Sequence, residues 1–336
     1  MSTGARGGPS PSGDSGAPAA ASAQDGGHGQ EGLRTILAAL TANLGIAVAK
    51  FVGFVVTGSS SMLAEGVHSV ADTANQALLL VGRKQAEKRP DRLHQFGYGR
   101  NRYFFAFVVA LVLFTMGAVF AVHEGIGKIR HPEELSSPVV AIVILLVAIC
   151  LEGYSFHTAR GESLALKGGD GWWRFIRRSR NPELPVVLLE DTGALIGLVL
   201  ALAGVGLTVL TGDAVWDGVG TLLIGILLGV IAIVLIVEMK SLLIGESATE
   251  PEEQSILRAL SAGAVQRVIH LRTQYLSPDE LLVAAKIALP PGTPLDAVAA
   301  EVDAAEARIR EAVPAAHLIY LEPDLDRARG GGRADR

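Results

Sequence analysis

The stretch that decides the fold lies between residues 61 and 82 and reads SMLAEGVHSVADTANQALLLVG. It is long enough to cross a bilayer as a helix, because a span needs about 20 mostly apolar residues. Ionisable side chains interrupt it, and such groups are costly in a membrane unless they serve a functional site. His68 and Asp72 are four residues apart, so on a helix they share one face. Together they can hold a divalent metal ion; an ordinary hydrogen-bonded pair is the alternative.

Composition places the rest of the chain in a membrane as well. The 336 residues are 49% hydrophobic and 19% charged, whereas a soluble domain carries about 25% charge. Cys150 is the single cysteine, which excludes a disulfide framework and a thiolate zinc site. The polar N-terminus lacks the apolar core of a secretory signal peptide, and Asp14, Asp25 and Glu31 argue against a mitochondrial transit peptide.

Apolar runs divide the chain into four predicted parts. Residues 1–30 are rich in Gly, Ser, Ala and Pro, and we expect them to be disordered. Residues 31–244 form a membrane α-helical bundle of six spans, 245–325 form a second domain, and 326–336 are a flexible tail. The predicted spans are residues 33–56, 61–82, 103–122, 139–156, 184–210 and 214–239.

The part of the chain after residue 245 is amphiphilic rather than continuously apolar. Its pattern predicts a helix, two strands, a second helix and a last strand, which is a small α+β domain. Lys and Arg are concentrated in the loops between spans two and three and between spans four and five. The positive-inside rule therefore places both termini in the cytoplasm. We expect an integral membrane protein of the bacterial cytoplasmic membrane.

A second group of acidic residues opens the fifth span, in the sequence PVVLLEDTGA. Asp191 lies at the same predicted depth as His68 and Asp72, so we expect these three side chains to meet around one metal ion. Neighbouring residues diverge by about 100° on a helix, so Glu190 cannot point squarely at the same site. It is interpreted as a distorted fourth ligand, a partner of a ligand or a proton carrier. Pairing with a loop arginine near the headgroups is the alternative.

Other polar residues inside the spans have separate interpretations. Lys50 and Glu65 lie at similar depth on spans one and two, and we expect an ion pair. Glu152 near the inner end of span four either lines the access path or extends towards the membrane surface. Asp217 at the start of span six is expected to cap a helix, and Asn75 is expected to hydrogen-bond between helices.

Several segments together resemble the cation diffusion facilitator family of divalent-metal/proton antiporters: GSSSMLAEGVHSVADTANQ, FGYGRNRYFFAF, SLLIGE and VIHLRT. HSVADTANQ and VVLLEDTGA are most similar to the branch that contains the animal mitochondrial zinc exporter. The resemblance implies a homodimer with a transport site on spans two and five, where His68, Asp72 and Asp191 match ligand positions. The first span-five position, usually His or Asp in the family, is Val187 here.

The resemblance also implies a ferredoxin-like C-terminal domain that dimerises in the cytoplasm. The family's usual histidine positions in that domain hold Ile269, Lys286 and Tyr320 here. Because a lysine opposes cation binding, we expect this domain to hold little or no metal.

The expected function is proton-coupled efflux of a divalent cation by alternating access, with the bilayer, the metal ion and protons as partners. Zinc accepts histidine and carboxylate ligands, and Mn²⁺, Fe²⁺ and Co²⁺ are alternatives at an oxygen-rich site. No prosthetic group, nucleic-acid partner or enzymatic activity is expected. A non-transporting regulator and a membrane metallohydrolase, with Glu190 as base, are the alternatives from other functional classes.

Overall fold

The computed structural model of the chain describes residues 44–132, 134–167, 169 and 171–325. The predicted N-terminal tail, the first part of the first predicted span and the C-terminal tail lie outside these residues.

The described membrane part consists of helices joined by loops, and each predicted span, where the structure describes it, coincides with a helix, although the helices of the third and fourth spans extend well beyond their predicted ends. The third predicted span is one helical stretch, Asn101–Arg130, whose central residues Leu113–Val119 adopt a π-helix. The helices are α1 (Leu44–Thr57), α2 (Ser60–Ala86), α3 (Asn101–Val112), α4 (Phe120–Arg130), α5 (Pro138–Lys167), α6 (Trp172–Arg178), α7 (Glu183–Thr211) and α8 (Val215–Ile244).

Length and composition distinguish some of these helices as candidate membrane spans. Within the described ranges, three helical stretches are long and apolar enough to cross a membrane: Asn101–Arg130, Pro185–Thr211 and Val215–Ile244. Leu44–Thr57 and Pro138–Tyr154 are shorter apolar helices. The 27 residues of α2 reach about 40 Å, but its polar side chains separate it from the apolar group. The structure thus has helical membrane character, and the count of six spans stays a prediction.

Helix α8 shows the two faces of a helix at the edge of a membrane bundle. Leu228 and Leu235 are buried in the bundle core. The opposite face carries exposed aliphatic side chains at Leu223, Ile226, Val230, Ile233 and Val237. Lipid tails solvate such a face as well as a protein core does, because both are hydrocarbon.

Glycines allow α4 and α8 to approach each other at backbone distance. A Cβ atom added at Gly125 would lie 2.6 Å from the backbone nitrogen of Leu222, and one at Gly225 would lie 2.6 Å from that of Val122. Small residues are common where membrane helices pack closely. This contact fixes α8 against the third span.

A buried carboxylate at the start of α8 binds the N-terminus of α2. Asp217 accepts hydrogen bonds from the Ser59 hydroxyl at 2.8 Å, the Ser60 amide at 2.7 Å and the Ser60 hydroxyl at 2.9 Å. The first amides of a helix lack intrahelical partners and favour negative charge. Asp217 is therefore a helix cap, as predicted, but the helix that it caps is α2.

The C-terminal domain has the predicted order of elements. It contains α9 (Glu250–Ser261), β1 (Arg267–Ser277), β2 (Glu280–Ala288), α10 (Leu295–Ala312) and β3 (Leu318–Asp324). The sheet order is β1-β2-β3, with β1 and β2 antiparallel and β2 and β3 parallel. A parallel pair needs a crossover, and α10 provides it. The described residues thus form a small three-stranded sheet, and the ferredoxin-like assignment stays a prediction.

Two arginines join the membrane helices to this domain. Arg102 at the start of α3 contacts Glu183 of α7 at 3.0 Å and Asp279 in the β1–β2 turn at 3.0 Å. Arg180, just before α7, pairs with Glu246 and lies over the ring of Tyr275 at 5.6 Å. The inner end of α7 is therefore held by charged contacts to the domain and to the segment that leads into it.

Candidate metal site

The predicted pair on α2 forms as its spacing suggested. The Nδ1 atom of His68 lies 3.5 Å from the Oδ1 atom of Asp72. Only 1% of His68 is exposed, and neither of its ring nitrogens has a hydrogen-bond partner. Oδ1 of Asp72 also has no hydrogen-bond partner. Because buried polar atoms are nearly always paired in native proteins, these three atoms are the type of group that a ligand satisfies.

Glu190 of α7 is also buried, with 5% of its surface exposed. Its Oε1 atom accepts a hydrogen bond of 2.6 Å from the side-chain amide of Asn75 on α2. The alternative in which Glu190 pairs with a loop arginine near the headgroups is therefore wrong. The acidic residue of α7 that pairs with Arg102 is Glu183, near the helix start. Asn75 bonds between helices, as predicted.

A small cavity lies between α2, α5 and α7 and brings most of the predicted residues together. Its volume is about 20 Å³, which is room for roughly one water molecule or ion. It is lined by Ser69, Asp72, Gln76, Glu152, Val187, Glu190 and Asp191. Three of the four predicted site residues thus share one cavity, whereas His68 is not part of its lining and lies next to Asp72.

The side chains in this cavity do not form a ready coordination shell. Within the parts of the chain that the structure describes, no three His, Cys, Asp or Glu side chains are close enough to hold a metal ion together. Binding at this cavity therefore requires side-chain or helix movement. The assignment of His68, Asp72, Glu190 and Asp191 as ligands remains a prediction.

A buried network next to the cavity was only partly predicted. The Nζ atom of Lys50 lies 3.1 Å from Glu65 and donates to the Ser69 hydroxyl at 2.7 Å, which confirms the expected ion pair. The same Nζ atom is 4.0 Å from Glu152 of α5. Sequence reasoning left the role of Glu152 open between an access path and the membrane surface. The structure places it in the cavity wall, beside Asp72.

Ser69 and Gln76 were not singled out from the sequence, although a signal was present. They lie three residues before and four residues after Asp72, so all three fall on one helix face. That face of α2 is the one that lines the cavity.

Comparison with known proteins agrees with this arrangement of helices. Residues 36–244 match the family model of the cation efflux transmembrane domain, which covers more than half of the chain. This region contains the cavity and all the residues that line it.

Similar proteins are found in animals and plants. The chain is 34% identical over 223 residues to the proton-coupled zinc antiporter SLC30A9, mitochondrial, of Mus musculus, covering 66% of this chain and 39% of that protein. It is 36% identical to the same antiporter of Xenopus laevis over 66% of this chain and 40% of that protein. Metal tolerance protein C4 of Arabidopsis thaliana is 28% identical over 77% of this chain and 57% of its own length.

The chain thus spans about two fifths of the length of the antiporters that it matches. These antiporters are named as transporters rather than as enzymes. Both are named as mitochondrial, so the comparisons give no support to the predicted bacterial membrane. On the match of its membrane domain and the similarity to these antiporters, the chain belongs to the cation diffusion facilitator family, near the SLC30A9 branch.

Proposed function

We propose that this protein is a proton-coupled divalent cation transporter, with zinc as its main substrate. The observation that carries the proposal is the cavity between α2, α5 and α7, which Asp72, Glu190 and Asp191 line within a bundle of apolar helices. Acidic groups placed so deep in a membrane domain are costly and are typical of ion pathways.

Zinc is favoured over other divalent ions by the ligand types at the site. His68 supplies a nitrogen ligand and Asp72 and Asp191 supply carboxylates, a set that suits four-coordinate zinc. The names of the antiporters from Mus musculus and Xenopus laevis point to the same ion. Mn²⁺ and Fe²⁺ are the second candidates, because carboxylates outnumber nitrogen ligands around this cavity.

Proton coupling follows from the chemistry of the same ligands. Carboxylates and imidazole bind a metal ion only when they are deprotonated, so ion binding releases protons and proton binding releases the ion. Alternating access then requires that the cavity open to the cytoplasm in one state and to the opposite side in the other. Inward flow of protons would drive outward flow of zinc.

The wider architecture is part of the proposal. We infer six spans, because α1, α2 and α5 accompany the three long apolar helices in one bundle, and both termini lie in the cytoplasm by the positive-inside rule. We also infer that residues 245–325 are a ferredoxin-like domain through which two copies associate. Chemical crosslinking in membranes tests the dimer, and labelling of single cysteines in the loops tests the topology.

The central test is ion flux into proteoliposomes that contain the full chain. Asp72→Asn should abolish zinc flux and the accompanying proton flux, because it removes an ionisable ligand while keeping the side-chain shape. Glu124→Gln on α4, outside the cavity lining, is the matched control and should transport as the unaltered protein does. Flux of Zn²⁺, Mn²⁺, Fe²⁺ and Co²⁺ by the unaltered protein ranks the substrates. No flux of any of these ions would favour the non-transporting regulator instead.

A further inference from the structure

We propose that Glu152 of α5 is a ligand of the transported ion and replaces the ligand that Val187 does not supply. This inference rests on the proposed function, because it adds a residue to the same site. It extends the site from two helices to three.

The position of Glu152 is the first argument. Its carboxylate lines the same cavity as Asp72, Asp191 and Val187. Val187 has no atom that can bind a metal ion. The possible ligands that α7 contributes to this cavity are therefore Glu190 and Asp191. After the side-chain or helix movement that binding requires, the carboxylate of Glu152 on the neighbouring α5 would complete a four-ligand shell with His68, Asp72 and Asp191.

The unpaired atoms beside the cavity are an independent argument that a ligand binds there. Both ring nitrogens of His68 and Oδ1 of Asp72 are buried without hydrogen-bond partners, and His68 is 99% shielded from solvent. The Nδ1 atom of His68 faces the carboxylate of Asp72, which lines the cavity. A cation in the cavity would satisfy Oδ1 of Asp72, and a movement of His68 towards the cavity would let it satisfy a ring nitrogen as well.

Glu190 is less suited than Glu152 to be the fourth ligand. Its Oε1 atom is engaged in a hydrogen bond of 2.6 Å with Asn75, and metal binding through that atom would break this bond. The contact of Glu152 with Lys50 is 4.0 Å, which is longer than a hydrogen bond. Glu152 therefore loses a weaker contact than Glu190 does when its carboxylate turns towards an ion.

Lys50 makes this exchange possible as a positioning residue. Its ammonium group stays paired with Glu65 at 3.1 Å and Ser69 at 2.7 Å when Glu152 moves away. Before the ion arrives, the nearby positive charge reduces the repulsion between Glu152 and the other carboxylates of the cavity. In the bound state, the carboxylates of Asp72, Glu152 and Asp191 and the neutral imidazole of His68 would surround one divalent cation.

The test measures the zinc dissociation constant of the full chain in detergent by titration calorimetry. Glu152→Gln should weaken zinc binding by at least about 100-fold, which exceeds the roughly 10–100-fold loss typical of a residue that only supports a ligand. Adding Val187→His to Glu152→Gln should restore binding to within about tenfold of the unaltered protein, because an imidazole then enters the same cavity. Glu124→Gln should leave binding unchanged.

The outcomes separate this inference from the proposed function. If Glu152→Gln binds zinc normally while Asp72→Asn does not, Glu152 is not a ligand and the transport site stands without it. If neither variant changes zinc binding, the proposed function fails as well. If the added Val187→His gives no recovery, Glu152 acts through the fold and the inference is wrong.

A further variant decides the matter if Glu152→Gln does not fold. Glu152→His keeps a zinc ligand at this position, and it should bind zinc within about tenfold of the unaltered protein while binding Mn²⁺ more weakly. Equal loss of both ions in a folded Glu152→His protein would overturn the inference.

Discussion

Helix α2 carries two buried polar clusters that differ in one respect. At its N-terminal end, which the sequence predicts to be the outer one, the carboxylate of Asp217 accepts hydrogen bonds from Ser59 and Ser60, and Thr221 contacts the Ser60 hydroxyl at 2.9 Å. In its middle, His68 and one oxygen of Asp72 are buried without such partners. Both clusters place a carboxylate inside a membrane bundle, yet only in the first does the protein itself supply hydrogen-bond partners to both carboxylate oxygens.

The difference separates a structural role from a functional one. A buried polar group that is fully bonded stabilises one arrangement of the helices. A buried group without a partner costs free energy, and a protein retains it where a ligand supplies the missing contact. The outer cluster should therefore control stability, and the middle cluster should control ion binding.

The largest effect is expected at the ion pair between the two clusters. Lys50→Leu or Glu65→Leu alone should destabilise the protein by about 3–5 kcal/mol, because each leaves an unpaired charge buried. The double substitution should cost far less, within about 1 kcal/mol, because neither charge of the pair remains. The free energy of unfolding in detergent micelles measures this cycle. Additive losses in the double variant would show that the two side chains do not act as a pair.

A somewhat smaller loss is expected at the outer cluster. Asp217→Ala should lower the free energy of unfolding by about 2–3 kcal/mol, because it leaves the Ser59 and Ser60 hydroxyls and the Ser60 amide buried without this acceptor. Asp213→Ala in the exposed turn before α8 is the control and should cost less than about 1 kcal/mol. Thermal unfolding in detergent measures both. A midpoint that does not change for Asp217→Ala would contradict the structural role.

Substitution in the middle cluster should have little effect on stability and a large effect on zinc binding. Asp72→Asn should change the free energy of unfolding by less than about 1 kcal/mol, because it removes a poorly satisfied charge and keeps the side-chain volume. Zinc binding should nevertheless be lost by at least about 100-fold, as expected for a direct ligand. Calorimetric titration and thermal unfolding of the same sample measure the two effects. A large loss of stability would place Asp72 with the structural cluster.

Asp91 is an exposed carboxylate that accepts several hydrogen bonds. It therefore shows the effect of hydrogen bonding on a carboxylate without the effect of burial. Hydrogen bonds from Tyr98, His94 and Leu93 lower the pKa of Asp91, in the loop after α2, from 3.8 to about 2. Because the folded pKa is depressed, this stabilisation is present above about pH 4 and is lost as the pH falls through 2. Carboxyl-carbon NMR should show a midpoint near 2, and Tyr98→Phe should raise it. An ordinary midpoint in the unaltered protein would refute the bonding.

The sequence was sufficient to predict most elements and several contacts between polar groups. Apolar run lengths predicted α7 and α8 to within about five residues and the start of α3 to within two, and matching depth predicted that Lys50 meets Glu65. The spacing of His68 and Asp72 predicted their contact. These predictions depend only on helical geometry and on the cost of burying charge.

The sequence did not predict how the helices are rotated relative to one another. Whether Glu152 faces the cavity or the membrane surface depends on how α5 is turned against α7, and local spacing does not determine this. The same holds for Asp217, whose partner on α2 lies more than 150 residues away along the chain. The hydrogen bond between Asn75 and Glu190 likewise needs the register between two helices.

The cap that Asp217 places on α2 has a mechanical consequence. If α2 tilts about this cap as a pivot, the residues near Ser59 move least and the residues at the opposite end of the helix move most. Asp72 lies about 18 Å from the pivot, at 1.5 Å per residue, and a tilt of about 10° would shift it by roughly 3 Å. A lever arm of this length converts a small rotation into a displacement comparable to the length of a metal–ligand contact.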